Sequence, residues 1–278
     1  MTQIRVALIQ LRTPASQAAA LAQAEPLIRQ AAAQGATFIL TPEGSNILQR
    51  DKAALLPLLK TVDQDPCVQG LVALAAELKI WLLIGSALVA DVDGQAVNRA
   101  LLVSPDGQIT ATYDKMHMFD VDLPTGEKAR ESETYRPGTK AVTADIPGAR
   151  LGLTICYDMR FAYLYRALAK AGAQIMTVPA AFTRPTGEAH WEVLLRARAI
   201  ETGSFVLAPA QGGRHEDGRG TWGRSIAIAP WGEVLARSDD DEPGVVMATL
   251  DLDAVAKARQ AIPALKNERA FTGPDPVS

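Results

Sequence analysis

Strand-sized apolar runs alternate with helically spaced Ala/Leu segments along almost the whole chain, and some strands return on themselves with no helix between. Apolar, β-branched runs at 4–10, 37–41, 81–89, 98–103, 141–146, 151–155, 173–179, 204–209 and 245–250 read as strands. Helical spacing occupies 15–33, 65–78, 160–171, 188–201 and 252–260. Gly35 stops the first helix, and Asp65 caps the second with Pro66 in its first turn. Ser104-Pro-Asp-Gly-Gln108 is a turn by its residue chemistry and leads back into a strand at 109–113. Pro230-Trp231-Gly232 closes a hairpin between 225–229 and 233–236. A purely parallel doubly wound sheet has no place for these hairpins. The pattern predicts an α/β fold with two mixed sheets packed face to face and helices outside.

The 278 residues contain no repeat, low-complexity tract or linker, which predicts one domain over 1–278. A net charge of −3 supplies no basic field for nucleic acid or an anionic membrane. The longest apolar runs, such as Ile80-Trp-Leu-Leu-Ile84, are strand-sized and far short of a membrane span. The opening run, Met1 to Gln10, reads as a first strand and lacks the charged start and cleavage site of a signal peptide. With two cysteines, this predicts a reducing cytoplasm. Cys67, just after Asp65-Pro66, reads as packing.

Cys156 stands where the apolar run Leu151-Gly-Leu-Thr-Ile155 meets a helical pattern. A helix N-terminus behind a thiol favours thiolate, the nucleophilic form. A small buried hydrophobe is the plainer reading of a lone cysteine. Two further residues occupy comparable places: Glu43 after Phe38-Ile-Leu-Thr-Pro42, and Lys115 after Ile109-Thr-Ala-Thr-Tyr-Asp114. Open α/β sheets place ligands at the carboxyl ends of strands. Brought together there, the carboxylate takes the thiol proton, the thiolate attacks a carbonyl carbon and the ammonium stabilises the oxyanion. Taken singly, Glu43 reads equally as a solvated loop acid and Lys115 as a surface lysine.

Several segments, in this order, resemble the nitrilase superfamily of carbon–nitrogen hydrolases. They are Arg5-Val-Ala-Leu-Ile-Gln10, Pro42-Glu43-Gly44, Tyr113-Asp-Lys115-Met-His117, Glu131-Ser132, Leu153-Thr-Ile-Cys156-Tyr-Asp-Met-Arg160-Phe161, Pro179-Ala-Ala-Phe182, Thr186-Gly-Glu-Ala-His-Trp191-Glu192 and Pro230-Trp-Gly232. The resemblance implies an αββα sandwich and a Glu43–Lys115–Cys156 triad, with Glu131 as a second glutamate. It also implies no metal or organic cofactor, a small-molecule amide substrate, and a homodimer or higher homo-oligomer. It is closest to the Nit branch of intracellular amidases, which implies hydrolysis of the terminal amide of a 2-oxo acid through a thioester, with ammonia leaving. Between that branch's two substrates, Ala208-Pro-Ala-Gln211-Gly-Gly-Arg214-His215 is more like the deaminated glutathione group than the 2-oxoglutaramate group. A nitrilase acting on C≡N, or a binding protein without turnover, are the remaining alternatives.

A 2-oxo carboxylate needs a fixed cation. Arg160, one helical turn past the nucleophile, has the planar fork for it, and pairing with Asp158 is its alternative. Arg184 and Arg214 are the next candidates. The Tyr157 N–H is expected at the oxyanion, and Phe182 and Thr183 at the pocket wall, with ordinary core the alternative for Phe182. Glu188 stands where the family often has proline, a change to the pocket wall. Of the three histidines, His117 lies two residues past Lys115 on an extended chain and faces away, and His190 reads as structural. None has metal-ligand spacing, and the loop glycines lack the strand–Gly-rich–helix context of a phosphate site.

Overall fold

The computed structural model describes residues 3–124 and 126–273. Two six-stranded mixed sheets form its centre. The first runs, edge to edge, Gly244–Asp251, Gln3–Gln10, Phe38–Leu40, Trp81–Ala90, Ala96–Val103 and Ile109–Asp114. The second runs Val234–Arg237, Ile226–Ile228, Phe205–Ala208, Ile175–Thr177, Ala149–Leu153 and Val142–Ile146. In each sheet three neighbouring strands are parallel and the rest antiparallel, so the expected mixture of crossovers and hairpins is present.

Side-chain alternation explains the layering. In Gln3–Gln10, Val6 and Leu8 enter the core between the sheets, together with Leu40, Leu83, Leu151 and Leu153. Ala7 and Ile9 point the other way, onto the helices Gln17–Ala33 and Pro66–Leu78, where Ala24, Ile28, Val68 and Leu71 meet them. A strand buried on both faces reads as a continuous apolar run, as these do. The second sheet carries Ala162–Lys170 and Arg184–Thr202 on its outer side. The result is an αββα sandwich. Met1 and Thr2, the start of the expected first strand, lie outside the described residues.

Local chemistry sets the helix ends. Asp65 accepts from the N–H groups of Cys67 and Val68 at 3.0 and 2.9 Å, and Pro66 occupies the first turn, as the sequence predicts. The helix expected over 188–201 begins earlier, at Arg184, because Pro185 in its first turn has no N–H to leave unpaired. Cys67 is fully buried and packs, with its thiol facing the Ser45 carbonyl at 3.8 Å.

Two features draw the sheets' ends together beneath the site. A Cβ on Gly85 would lie 1.8 Å from the Thr41 carbonyl oxygen and 2.5 Å from Pro179 Cβ, so only glycine lets these segments approach. Thr41 leads into Glu43 from the first sheet, and Pro179 leads towards Ala181 from the second. Asp158 supplies the other tie. It is fully buried and accepts from Tyr113 Oη at 2.7 Å, Ile155 N at 2.9 Å and His117 N at 3.1 Å, with His117 Nδ1 at 2.6 Å. Tyr113 and His117 flank Lys115 by two residues on either side, and Asp158 lies two past Cys156. The lysine segment is thereby registered against the cysteine turn.

Candidate active site

Glu43, Lys115 and Cys156 converge where the two sheets' ends meet. Glu43 follows Phe38–Leu40 by three residues, Lys115 follows Ile109–Asp114 directly, and Cys156 follows Ala149–Leu153 by three. Lys115 Nζ lies 2.9 Å from Glu43 Oε1 and 2.8 Å from Glu131 Oε2, and its side chain is 2% exposed. The Glu43 carboxylate also accepts from Asn98 Nδ2 at 2.9 Å and from the Ala181 N–H at 2.8 Å. Glu131 accepts from the Phe119 N–H at 2.6 Å.

After Lys115 the chain makes a polar excursion, over residues 120–137, that returns inward at Glu131. Its hairpin, Asp120–Asp122 with Lys128–Arg130, leads into a short turn, Glu131–Glu133, whose first residue reaches Lys115. Thr125, within that excursion, lies outside the described residues.

Cys156 sits at φ 49°, the left-handed region, on a five-residue 3-10 turn, Cys156–Arg160. Non-glycine residues there carry strain, which strand-to-helix nucleophile turns store. The expected thiolate-stabilising helix is replaced by this short turn, and the resting group is a thiol. Burial and the neighbouring Glu43 carboxylate push the Cys156 thiol well above its ordinary value, against the pull of Lys115. Burial pushes Glu43 up too, but the Lys115 ammonium and hydrogen bonds from Cys156, Lys115 and Asn98 win, leaving it below its ordinary value. Burial opposes the Lys115 charge, yet Glu131 and Glu43 hold its ammonium well above the ordinary value. The arrangement is a thiol facing a ready carboxylate base, with a fixed cation beside both.

A pH profile follows from these directions. Glu43 must be unprotonated to accept the thiol proton, and its depressed value moves that requirement below the ordinary 4.5. The kcat/KM for amide hydrolysis should stay flat from about pH 5 to 9, falling on the acid side only below the ordinary carboxylate range. An inflection near neutrality would point instead to a histidine as the base.

The cavity above Cys156 measures about 260 Å³ and is lined by Phe182 and Thr183 among others. Arg160 is not part of its lining. Its guanidinium lies 5.8 Å from the Tyr157 ring centroid and 5.6 Å from that of Phe182, with Nη2 3.3 Å from His190 Nδ1. Arg160 thus backs the wall rather than lining it, and Asp158 is engaged elsewhere. The Tyr157 N–H has no acceptor among the described residues, and its ring packs edge-on against Phe119 and Phe161. Arg184 pairs with Asp241. His117, expected to face away from the chemistry, is held by Asp158 and stacked on Phe161 at 3.6 Å. No cluster of metal-ligating side chains occurs among the described residues.

Asn98 was not singled out by motif. It bridges both glutamates, reaching Glu131 Oε1 at 3.4 Å, and its Oδ1 is buried without a partner among the described residues. Its signal in the sequence is one buried amide in the apolar strand Ala96–Val103. A larger cavity of about 600 Å³, beside Trp231 and Ile262, contains none of these groups.

The profile of the family described as carbon–nitrogen hydrolase matches residues 5–260. A relative in Yersinia enterocolitica, named deaminated glutathione amidase, is 38% identical over 272 residues, covering 97% of this chain and 94% of its own. The omega-amidase NIT2 of Homo sapiens is 37% identical over 270 residues, covering 97% of this chain and 96% of its own. Among solved structures, the C. elegans NitFhit protein superposes with a TM-score of 0.90 at 33% identity, over 96% of this chain and 65% of that one.

Proposed function

This chain belongs to the carbon–nitrogen hydrolase family, and we propose that it is an amidase of small 2-oxo acid amides that works through a Cys156 thioester, with deaminated glutathione as its substrate. It is a hydrolase of carbon–nitrogen bonds other than peptide bonds. What supports the thioester reading is one observation: Glu43, Lys115, Glu131 and Cys156 gather at the base of a single cavity.

Glu43 takes the Cys156 proton as sulfur bonds to the amide carbon, and the carbonyl π electrons move onto oxygen. The Lys115 ammonium and the Tyr157 N–H hold that oxyanion. Its collapse breaks the C–N bond, and the departing nitrogen receives the proton from Glu43. Water then enters, Glu43 takes one of its protons, and hydroxide displaces sulfur to give the carboxylic acid and the thiol. Glu131 holds Lys115 in place from the opposite side. Phe182 and Thr183 shape the wall, and Arg160 supports that wall from behind through the Phe182 ring. No cofactor enters any step.

The leaving group distinguishes the two candidate substrates. A primary amide such as 2-oxoglutaramate loses ammonia. Deaminated glutathione is a secondary amide at the same carbon and loses cysteinylglycine, which corrects the expectation that ammonia is always the product. The 2-oxoglutaramate reading stays as the alternative because the omega-amidase relative is as similar as the first. With purified protein, kcat/KM should be higher on deaminated glutathione, followed by the new amine, than on 2-oxoglutaramate, followed by ammonia. The reverse order would assign the chain to the alternative. Turnover of nitriles alone would remove both.

The reading extends to a single domain, a cytoplasmic location and a homodimer or larger assembly. Ile200, Trp231 and Ile262 are each more than half exposed around the larger cavity, an apolar face that a second copy would cover. No helix among the described residues is long and apolar enough to cross a membrane.

A further inference from the structure

Glu43 and Glu131 share one cation. Lys115 Nζ lies 2.9 Å from the first and 2.8 Å from the second, and no other cation pairs with either among the described residues. Two carboxylates around a single ammonium repel one another, and in such a pair one ordinarily takes up a proton. Asn98 stands between them as a neutral donor and is 2% exposed. Its Nδ2 donates to Glu43 Oε1 at 2.9 Å and reaches Glu131 Oε1 at 3.4 Å, and an amide nitrogen has one hydrogen for each. Its main-chain carbonyl accepts from the Lys115 N–H at 2.9 Å. One residue of the strand Ala96–Val103 thus meets the backbone of the cation and the side chains of both anions.

The neighbours fix which way this amide faces. Turned over, its oxygen would point at two carboxylates. Held as it is, Oδ1 is buried without a partner among the described residues. A buried carbonyl without a donor destabilises a fold, and leucine, of similar shape, would not carry that cost. The contribution that offsets it lies in Nδ2, which stabilises negative charge without adding a positive one. The other titratable groups facing Glu43 are Lys115, Glu131, Cys156 and the Tyr135 phenol, which burial holds protonated. We propose that Asn98 is a positioning residue that keeps Glu43 and Glu131 ionised together around one ammonium, so that Glu43 stays free to take the Cys156 proton while Glu131 stays on Lys115. This rests on the proton transfer in the amidase reading and adds the residue that holds the base ready.

Two pH profiles test it, on wild type, Asn98→Leu and Asn98→Asp. One is kcat/KM for amide hydrolysis. The other is alkylation of Cys156 by iodoacetamide, followed by mass spectrometry, in which sulfur displaces iodide, Glu43 takes the proton and no amide is turned over. In the wild type both should fall on the acid side only below the ordinary carboxylate range. In Asn98→Leu both acid limbs should move up together by roughly one to two pH units, because the charged form of Glu43 has lost a donor. Above the shifted limb both rates should return to within about threefold of wild type. Asn98→Asp places a third carboxylate beside the pair and should move the limbs further. Being the same size as asparagine, it also carries the test if the leucine variant does not fold. Acid limbs at the wild-type pH in the folded variants, or a loss that is equal at every pH, would overturn this role for Asn98 and leave the amidase standing. A shifted alkylation limb in a protein whose wild type hydrolyses no amide would uphold the role and overturn the amidase.

Discussion

Replacing Cys156 by alanine should lower amide turnover by on the order of 10⁶-fold, the scale on which nucleophile loss acts in other covalent hydrolases. Among the described residues lining the cavity, the thiol is the nucleophile that stands against a ready carboxylate base. Serine should fare little better, because Glu43, held below its ordinary value, is too weak a base for a hydroxyl. The fold should survive both changes, since alanine and serine carry the same penalty as cysteine at φ 49°. Glycine gives a sharper reading. Cys156→Gly should be equally inactive, yet relief of the left-handed strain should offset about 1 kcal/mol of the lost packing. Single-turnover assays and thermal melts on the three variants check this together. Activity at a tenth of wild type in any of them would remove Cys156 from the mechanism.

Much of this arrangement was legible in the sequence where the signal is local. Asp65-Pro66 marks a helix start through two adjacent residues, and the structure places the cap there. The strand cores are legible because Val6/Leu8 and Ala7/Ile9 serve two buried faces, leaving unbroken apolar runs. What escaped depends on distant partners. Asn98 meets Glu43 across 55 positions and Glu131 across 33, and nothing in Ala96–Val103 announces either contact. Asp158 read as a partner for Arg160, whereas its hydrogen bonds go to Tyr113, His117 and Ile155. The short hairpins Asp120–Asp122 with Lys128–Arg130 and Gly212–Arg214 with Gly220–Trp222 were missed because polar and glycine-rich residues carry little strand pattern. The state of the thiol is not legible locally. The sequence predicts a helix dipole behind Cys156, but a single 3-10 turn stands there, and burial beside a carboxylate decides the balance.

Glu43→Gln and Lys115→Met test the rest of that balance, and they should fail in different ways. An amide at position 43 cannot accept the thiol proton, so kcat/KM should fall by roughly 10²–10⁴-fold or more. Its geometry also frustrates the site. Glu43 Oε2 faces the Ala181 N–H at 2.8 Å, while Oε1 faces Lys115 Nζ and Asn98 Nδ2 at 2.9 Å each. Whichever way the glutamine turns, its NH2 group meets a donor. Lys115→Met removes the oxyanion partner, a loss of about 10²–10³-fold by itself. It also strips the shared cation from two nearly buried carboxylates, and breaking such a buried pair costs about 3–5 kcal/mol. Lys115→Met should therefore melt well below the wild type, whereas Glu43→Gln should melt closer to it. The two losses should not add in the double variant, because both act on one thioester-forming step. Mass spectrometry of the protein mixed with substrate reads that step directly. Either variant forming the Cys156 thioester at the wild-type rate would mean that proton transfer and oxyanion stabilisation are supplied by other groups, with Glu131 and the Tyr157 N–H the first to examine.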